Sequence, residues 1–269
     1  MDKQRQISMQ QAIALADLCE LLSVAFRFPT AELACALADG GFADDARNCL
    51  VEAGFGTDEA ERACALLDGF AGADARDLFA ELRKGYSLLF LAPGADVPVW
   101  PYEAAFRHVA EHKQGAPMLF RAPITLNVEH MMAEAGVRPT DARKEPADSV
   151  ADEFAFLSYL YGKAAEAQFG AGESHIDEGG SDDAWQGDDE PAFRTDGAGE
   201  ALAEDALVWL FRARSFFTCH PACWLGDFMA QVTEAAAHVP YSQGYAALAA
   251  LGQAALRLLA EDAQRTERL

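Results

Sequence analysis

The chain has 269 residues, 51% of them hydrophobic, enough for a sizeable core and too apolar for a chain disordered throughout. Its 43 acids against 21 bases give a formal net charge of −22. That balance repels nucleic-acid phosphates and anionic membrane surfaces and favours basic partners.

Alanine is the commonest residue, which favours helix, and no long stretch shows the alternation of a half-buried strand. The expected fold is all-α, a compact bundle of about nine to eleven helices. Met1 to Gln10 has no apolar run behind a basic head, so no secretory signal is expected. No run of about 18 apolar residues stands out, so no membrane insertion is expected. The cysteines (Cys19, Cys35, Cys49, Cys64, Cys219 and Cys223) are too sparse for a disulfide scaffold and point to a cytoplasmic chain. The first four fall in Ala-rich helical pattern, where thiols act as small core hydrophobes.

In chain order, Ser8-Met9-Gln10-Gln11 forms a capping box before a stripe of Leu18, Leu21, Leu22 and Ala25 that ends near Phe26-Arg27-Phe28-Pro29. Thr30 caps a short helix that stops at Gly40-Gly41. Weaker helices follow around Asp44 to Val51 and Asp58 to Phe70. Asp74 starts a stronger one with Leu78, Leu82, Tyr86, Leu89 and Phe90 along one face. Pro93, Gly94, Pro98 and Pro101 force a loop. A helix over Tyr102 to Gln114 follows, then one opened by Thr125 with Val128, Met131, Met132 and Ala135 turned inward and Gly136 as its stop.

Glu145-Pro146-Ala147-Asp148-Ser149-Val150 reads as a loop turning into a helix that runs to about Gln168. Pro146 keeps Glu145 extended, and Asp148 and Ser149 can each cap the first turn. Val150, Phe154, Leu157 and Tyr161 make one apolar face with Glu153 beside it. Residues 170–199 are rich in Gly, Asp, Glu and Ser and read as a mobile acidic linker, with Trp185 and Phe193 its only aromatics. Helices are expected again over Glu200 to Phe217, Ala222 to His238 and Gln243 to Glu261. The expected organisation is residues 1–169, the linker 170–199, and 200–269 completing the same globular domain.

Glu145-Pro-x-Asp148, then Glu153-Phe-x-Phe-Leu157, resembles the signature of TorD/DmsD-like chaperones, with Ser149 where that family usually has His. Tyr86-Ser-Leu-Leu89-Phe90 followed by Trp100-Pro101-Tyr102-Glu103-Ala-Ala-Phe106 is similar to the family's helix end and Pro-Tyr-Glu segment. His220-Pro-Ala-Cys223-Trp224, then Pro240-Tyr241, looks like its His-x-x-Pro-Trp segment, with Cys223 in place of Pro. The resemblance implies a cytoplasmic, non-enzymatic chaperone that matures a molybdopterin oxidoreductase subunit without a cofactor of its own. It implies binding of that subunit's twin-arginine signal peptide or apo form, with the translocation machinery as a further partner. It places Tyr86, Leu89, Phe90, Trp100, Pro101, Tyr102, Glu103, Phe106, Glu145, Pro146, Asp148, Ser149, Glu153, His220 and Trp224 around the client site. An apolar groove with an acidic rim would suit such a leader, as monomer or domain-swapped dimer.

Two metal patterns compete with that reading. His108-Val-Ala-Glu111-His112 fits the inverted zinc-peptidase motif, with the histidines on one helix face and Glu111 as base; the alternative is a solvated face. Cys219, His220 and Cys223 are close in sequence; the alternative is a helix start with two buried thiols. No phosphate loop, dinucleotide fingerprint or Gly-x-Ser-x-Gly elbow occurs. A non-catalytic helical scaffold for complex assembly is the remaining class.

Overall fold

The computed structural model describes residues 7–56, 58–92, 96–140, 144–172, 193–195 and 205–267. Among them are eleven α-helices: α1 (Met9–Phe26), α2 (Ala31–Asp39), α3 (Gly41–Glu52), α4 (Asp58–Asp68), α5 (Ala75–Tyr86), α6 (Glu103–Ala110), α7 (Pro123–Glu134), α8 (Val150–Gly172), α9 (Ala206–Cys219), α10 (Leu225–Ala236) and α11 (Gln243–Glu267). The all-α bundle is as expected.

The central pair is α1 against α8. Both are buried on most sides, which is why neither shows a clean amphipathic stripe. Ala12, Ala16 and Cys19 keep α1 slim, while Phe154, Phe156, Leu157 and Tyr161 of α8 fill the space around it. α3 packs on α1, α9 on α8, and α11 reaches α4, α9 and α10. By length and composition α1 could cross a membrane, contrary to the expectation that no such stretch exists. Most of its apolar residues face the interior of the bundle instead, against α8 and α3, while Met9, Ile13 and Val24 stay exposed.

The capping signals set the helix starts. Ser8 and Gln11 form the reciprocal box at α1, Thr30 caps α2, and Asp74 accepts from both Arg76 and Asp77 at α5. Gly40 ends α2 in the left-handed region, at φ 87°.

The structure departs from expectation in four places. The stripe through Leu89 and Phe90 is not a continued α-helix but a π-turn over Ser87–Leu91, closed by Ala92 N–H to Ser87 O at 2.7 Å. The wider turn lets adjacent Leu89 and Phe90 both face inward. α6 stops at Ala110 rather than Gln114, because His112 takes a positive φ of 53°. β2 (Phe193–Thr195), inside the expected linker, pairs antiparallel with β1 (Val137–Pro139) in a two-stranded ladder. The rest of that stretch, including Trp185, lies outside the described residues, as do Pro93 and Gly94. Finally, Cys35, Cys219 and Cys223 are exposed, so only Cys19, Cys49 and Cys64 serve as core thiols.

A buried ion pair ties the last helices to the centre. Arg214 of α9 donates from Nε and Nη2 to Asp262 of α11 at 2.9 and 2.8 Å, and Tyr161 of α8 donates to the same carboxylate at 2.9 Å. Three helices thus share one satisfied polar cluster in the core.

Candidate functional site

Two loop segments distant in sequence are zipped together. Tyr102 and Ser149 form an isolated antiparallel bridge. Glu103 N–H donates to Asp148 O at 2.8 Å, and Val150 N–H donates to Pro101 O at 2.9 Å. The zipper sets the start of α6 beside the start of α8.

The caps are exchanged across it. Ser149 caps its own helix, accepting from Asp152 N–H at 3.0 Å. Asp148 does not; its Oδ2 accepts from Ala104 N–H in the first turn of α6 at 2.8 Å, and its Oδ1 from the Thr125 hydroxyl at 2.9 Å. Tyr102, at the cap position of α6, provides no side-chain capping bond to that helix. Burial raises the Asp148 carboxyl above its ordinary range, an effect opposed by those two hydrogen bonds.

A second layer lies beneath. Glu103 is fully buried; its Oε1 accepts from Arg107 at 2.7 Å and its Oε2 lies 2.7 Å from His220 Nδ1. His220 Nε2 lies 2.8 Å from Asn127 Oδ1. Trp224 Nε1–H donates to Glu153 Oε2 at 2.9 Å, while Glu153 Oε1 is buried without a partner. Burial, then the charge of Glu103, hold the Glu153 carboxyl well above its ordinary range. Phe106, Trp224 and Phe228 wall this layer with ring contacts of 5.3 to 6.2 Å.

The upper edge reaches solvent. Glu145 is exposed, and Trp100 and Tyr102 are half-buried. Crowding by protein, then the charge of Asp152, raises the Glu145 carboxyl to about 7, with the Tyr102 hydroxyl and Arg27 opposing. Solvent contact at Glu145 tempers the interaction through screening. Asp152 is raised to about 6, mainly by burial and against the pull of Arg27 at 3.4 Å. Phe28 is 44% exposed and stacks edge-on to Tyr86 at 5.3 Å, with Arg83 over its other side.

The family model described as nitrate reductase delta subunit matches residues 56–178. Over that stretch the chain is similar to the nitrate reductase delta subunit family. These are redox-enzyme maturation chaperones of the TorD/NarJ type, and the match supports a general role in molybdoenzyme maturation. No curated protein and no solved structure matches the chain. The delta-subunit segment contains both zipped loops, whereas His220 and Trp224 lie beyond it and reach the same network from the α9–α10 junction.

The fifteen side chains singled out from the sequence fall into three groups. Tyr86, Leu89, Phe90 and Phe106 are core: Phe90 packs on Tyr86, Phe228 and Tyr245 at 5.0, 5.9 and 5.4 Å. Pro101, Glu103, Pro146, Asp148, Ser149, Glu153, His220 and Trp224 are buried in the zipper or the layer beneath, so these acids form no open rim. Trp100, Tyr102 and Glu145 remain in contact with solvent. Thr125, read from the sequence only as a helix start, and Asn127 and Arg107 were not singled out for the site; only Arg107, four residues after Glu103 on one helix, left a spacing that could have revealed it.

Neither metal pattern survives. His112 lies past the end of α6 and does not share a helix face with His108, whose Nε2 lies 3.0 Å from Gly115 O. Glu111 pairs with Lys113 and Arg107. The Cys223 thiol points to Thr218 O and Cys219 O, while His220 turns inward to Glu103.

Proposed function

We propose that this protein is a cytoplasmic maturation chaperone that binds the basic and apolar leader of a molybdopterin oxidoreductase subunit, or the apo-subunit itself. It holds the client until cofactor insertion and folding are complete. The contact surface is the solvent edge of the zippered loops: Glu145 and Tyr102, flanked by Trp100 and by Phe28 on the far side of Tyr86. The observation that carries this reading is the position of a carboxylate beside half-open aromatic surface, within the family-matched segment. Glu145 meets the arginines and the aromatics hold the apolar stretch. The net charge of −22 speeds encounter with a basic segment. Residues 170–199 act as an insertion within one globular domain.

The test is fluorescence anisotropy with a labelled peptide carrying two arginines ahead of an apolar core. Phe28 is 44% exposed, so about 90 Å² of the residue remains to be buried, worth at most about 2 kcal/mol. Phe28→Ala should therefore weaken binding by up to about thirtyfold. Glu145→Gln should weaken it about two- to fivefold and flatten its salt dependence. Wild-type affinity in the double variant, or no binding of any leader or apo-subunit by the parent, would overturn the reading.

A further inference from the structure

Glu103, Glu153 and His220 come from three separate elements: the start of α6, the first turns of α8, and the junction between α9 and α10. One donor atom from each lies within 4.8 Å of the other two, and all three residues are buried. Each group is held from outside by one atom. Arg107 takes Glu103 Oε1, Trp224 takes Glu153 Oε2, and Asn127 Oδ1 faces His220 Nε2. The inward atoms are Glu103 Oε2 and His220 Nδ1, which face each other at 2.7 Å, and Glu153 Oε1, which no N–H or hydroxyl reaches and which lies beside the Glu103 carboxyl. This is the arrangement in which outer hydrogen bonds orient ligands around a metal: with Nε2–H donating to Asn127 Oδ1, the proton shared by Nδ1 and Glu103 Oε2 would leave as an ion binds, freeing the Nδ1 lone pair.

Charge argues the same way. Glu103 is paired with Arg107 and His220, Glu153 has no basic partner among the described residues, and Asp148 adds a third carboxyl group nearby. A divalent cation between Glu103 and Glu153 would compensate both carboxylates at once. We propose that Glu103, Glu153 and His220 form a binding site for a first-row divalent cation such as Zn²⁺. One imidazole nitrogen with two carboxylate oxygens suits zinc, manganese or ferrous iron and disfavours soft monovalent copper. Ligand atoms at about 2.0–2.2 Å from such an ion stand about 3.3 Å apart. The present atoms lie within 4.8 Å of one another, so binding would draw Glu153 in and open the 2.7 Å Glu103–His220 bond as the ion enters. The ion would join α6, α8 and the α9–α10 junction at the base of the zippered loops.

Because the site is buried, loading belongs to folding. The full chain is refolded with Zn²⁺ or, separately, Co²⁺, then gel-filtered, and the retained metal is quantified. The parent should keep one equivalent, and its cobalt spectrum should show no thiolate charge-transfer band. Glu153→Gln preserves size and the Trp224 bond and should cut retention to about a tenth or less. Trp224→Phe, shown folded by circular dichroism, should lower affinity about 10–100-fold in a chelator competition. Failure of the parent to retain either ion, equal retention by Glu153→Gln, or a thiolate band that reveals binding at Cys219 and Cys223 would each overturn the site.

Discussion

Removing the Asp148 carboxylate should cost folding stability without touching the charge that a client meets. Asp148→Ala strips the Ala104 N–H and the Thr125 hydroxyl of their acceptor in a fully buried place. A buried donor left unsatisfied costs about 1–3 kcal/mol. Thr125 has a fallback, Leu119 O at 3.4 Å, and belongs at the low end. Ala104 N–H sits in the first turn of α6, so its loss is also the loss of a helix cap, about 1 kcal/mol by itself. Relief from desolvating a carboxylate returns part of this. The balance is a loss of about 2–3 kcal/mol. Urea denaturation at neutral pH, followed by circular dichroism, measures it. Leader affinity should fall only in proportion to the unfolded fraction, and the slope of affinity against salt should stay at the parent value. A stability loss under about 0.5 kcal/mol, or a flattened salt slope in the folded variant, would refute the reasoning.

Asp262→Ala leaves the Arg214 guanidinium buried and uncompensated, and should destabilise the chain by about 3–5 kcal/mol in guanidinium denaturation; a loss near zero would mean that water reaches Arg214. A Cβ at Gly85 would stand 2.2 Å from Tyr241 O, backbone that cannot swing aside. Gly85→Ala should therefore lower the melting temperature by the equivalent of about 1–3 kcal/mol, although alanine is the better helix former. Glu145 has its folded pKa raised to about 7 from an ordinary 4.5. The folded state then holds a proton that the unfolded state has released, so stability from this group is present below about 4.5 and is lost as pH rises through about 7. Glu145→Gln should flatten that slope in thermal melts from pH 4 to 8. Leader affinity should move the other way in the parent, rising through about 7 as the carboxylate ionises.

The helices were largely legible because their signals are local. Ser8, Thr30, Asp74 and Gly40 act within one turn of where they stand. What stayed hidden depends on distant partners. Asp148 and Ser149 both look like caps for the helix that follows, and nothing within that stretch says that Asp148 serves α6 instead. That choice follows from the zipper with Pro101–Glu103, a long-range pairing with no periodicity to betray it. Phe90 was expected at a client groove, and the π-turn sends it into the core; a change of helix period is decided by packing rather than by propensity. The inverted zinc motif failed for the reason short motifs fail: its spacing assumes a helix that ends at Ala110, before His112 is reached.

The arrangement separates two duties that the sequence runs together. Motif residues from all three stretches (Glu103, Asp148, Glu153, His220 and Trp224) are buried and interlocked, so they set the positions of helix ends. Glu145 and Tyr102 sit on the loops whose positions those helix ends fix. Rigid support of this kind limits the ordering cost of binding, which matters for a leader that gives up its own freedom on association. Buried substitutions should then move melting temperature and affinity together, whereas rim substitutions should move affinity alone. A buried variant with parental stability but lost binding would show instead that the network itself opens to admit the client.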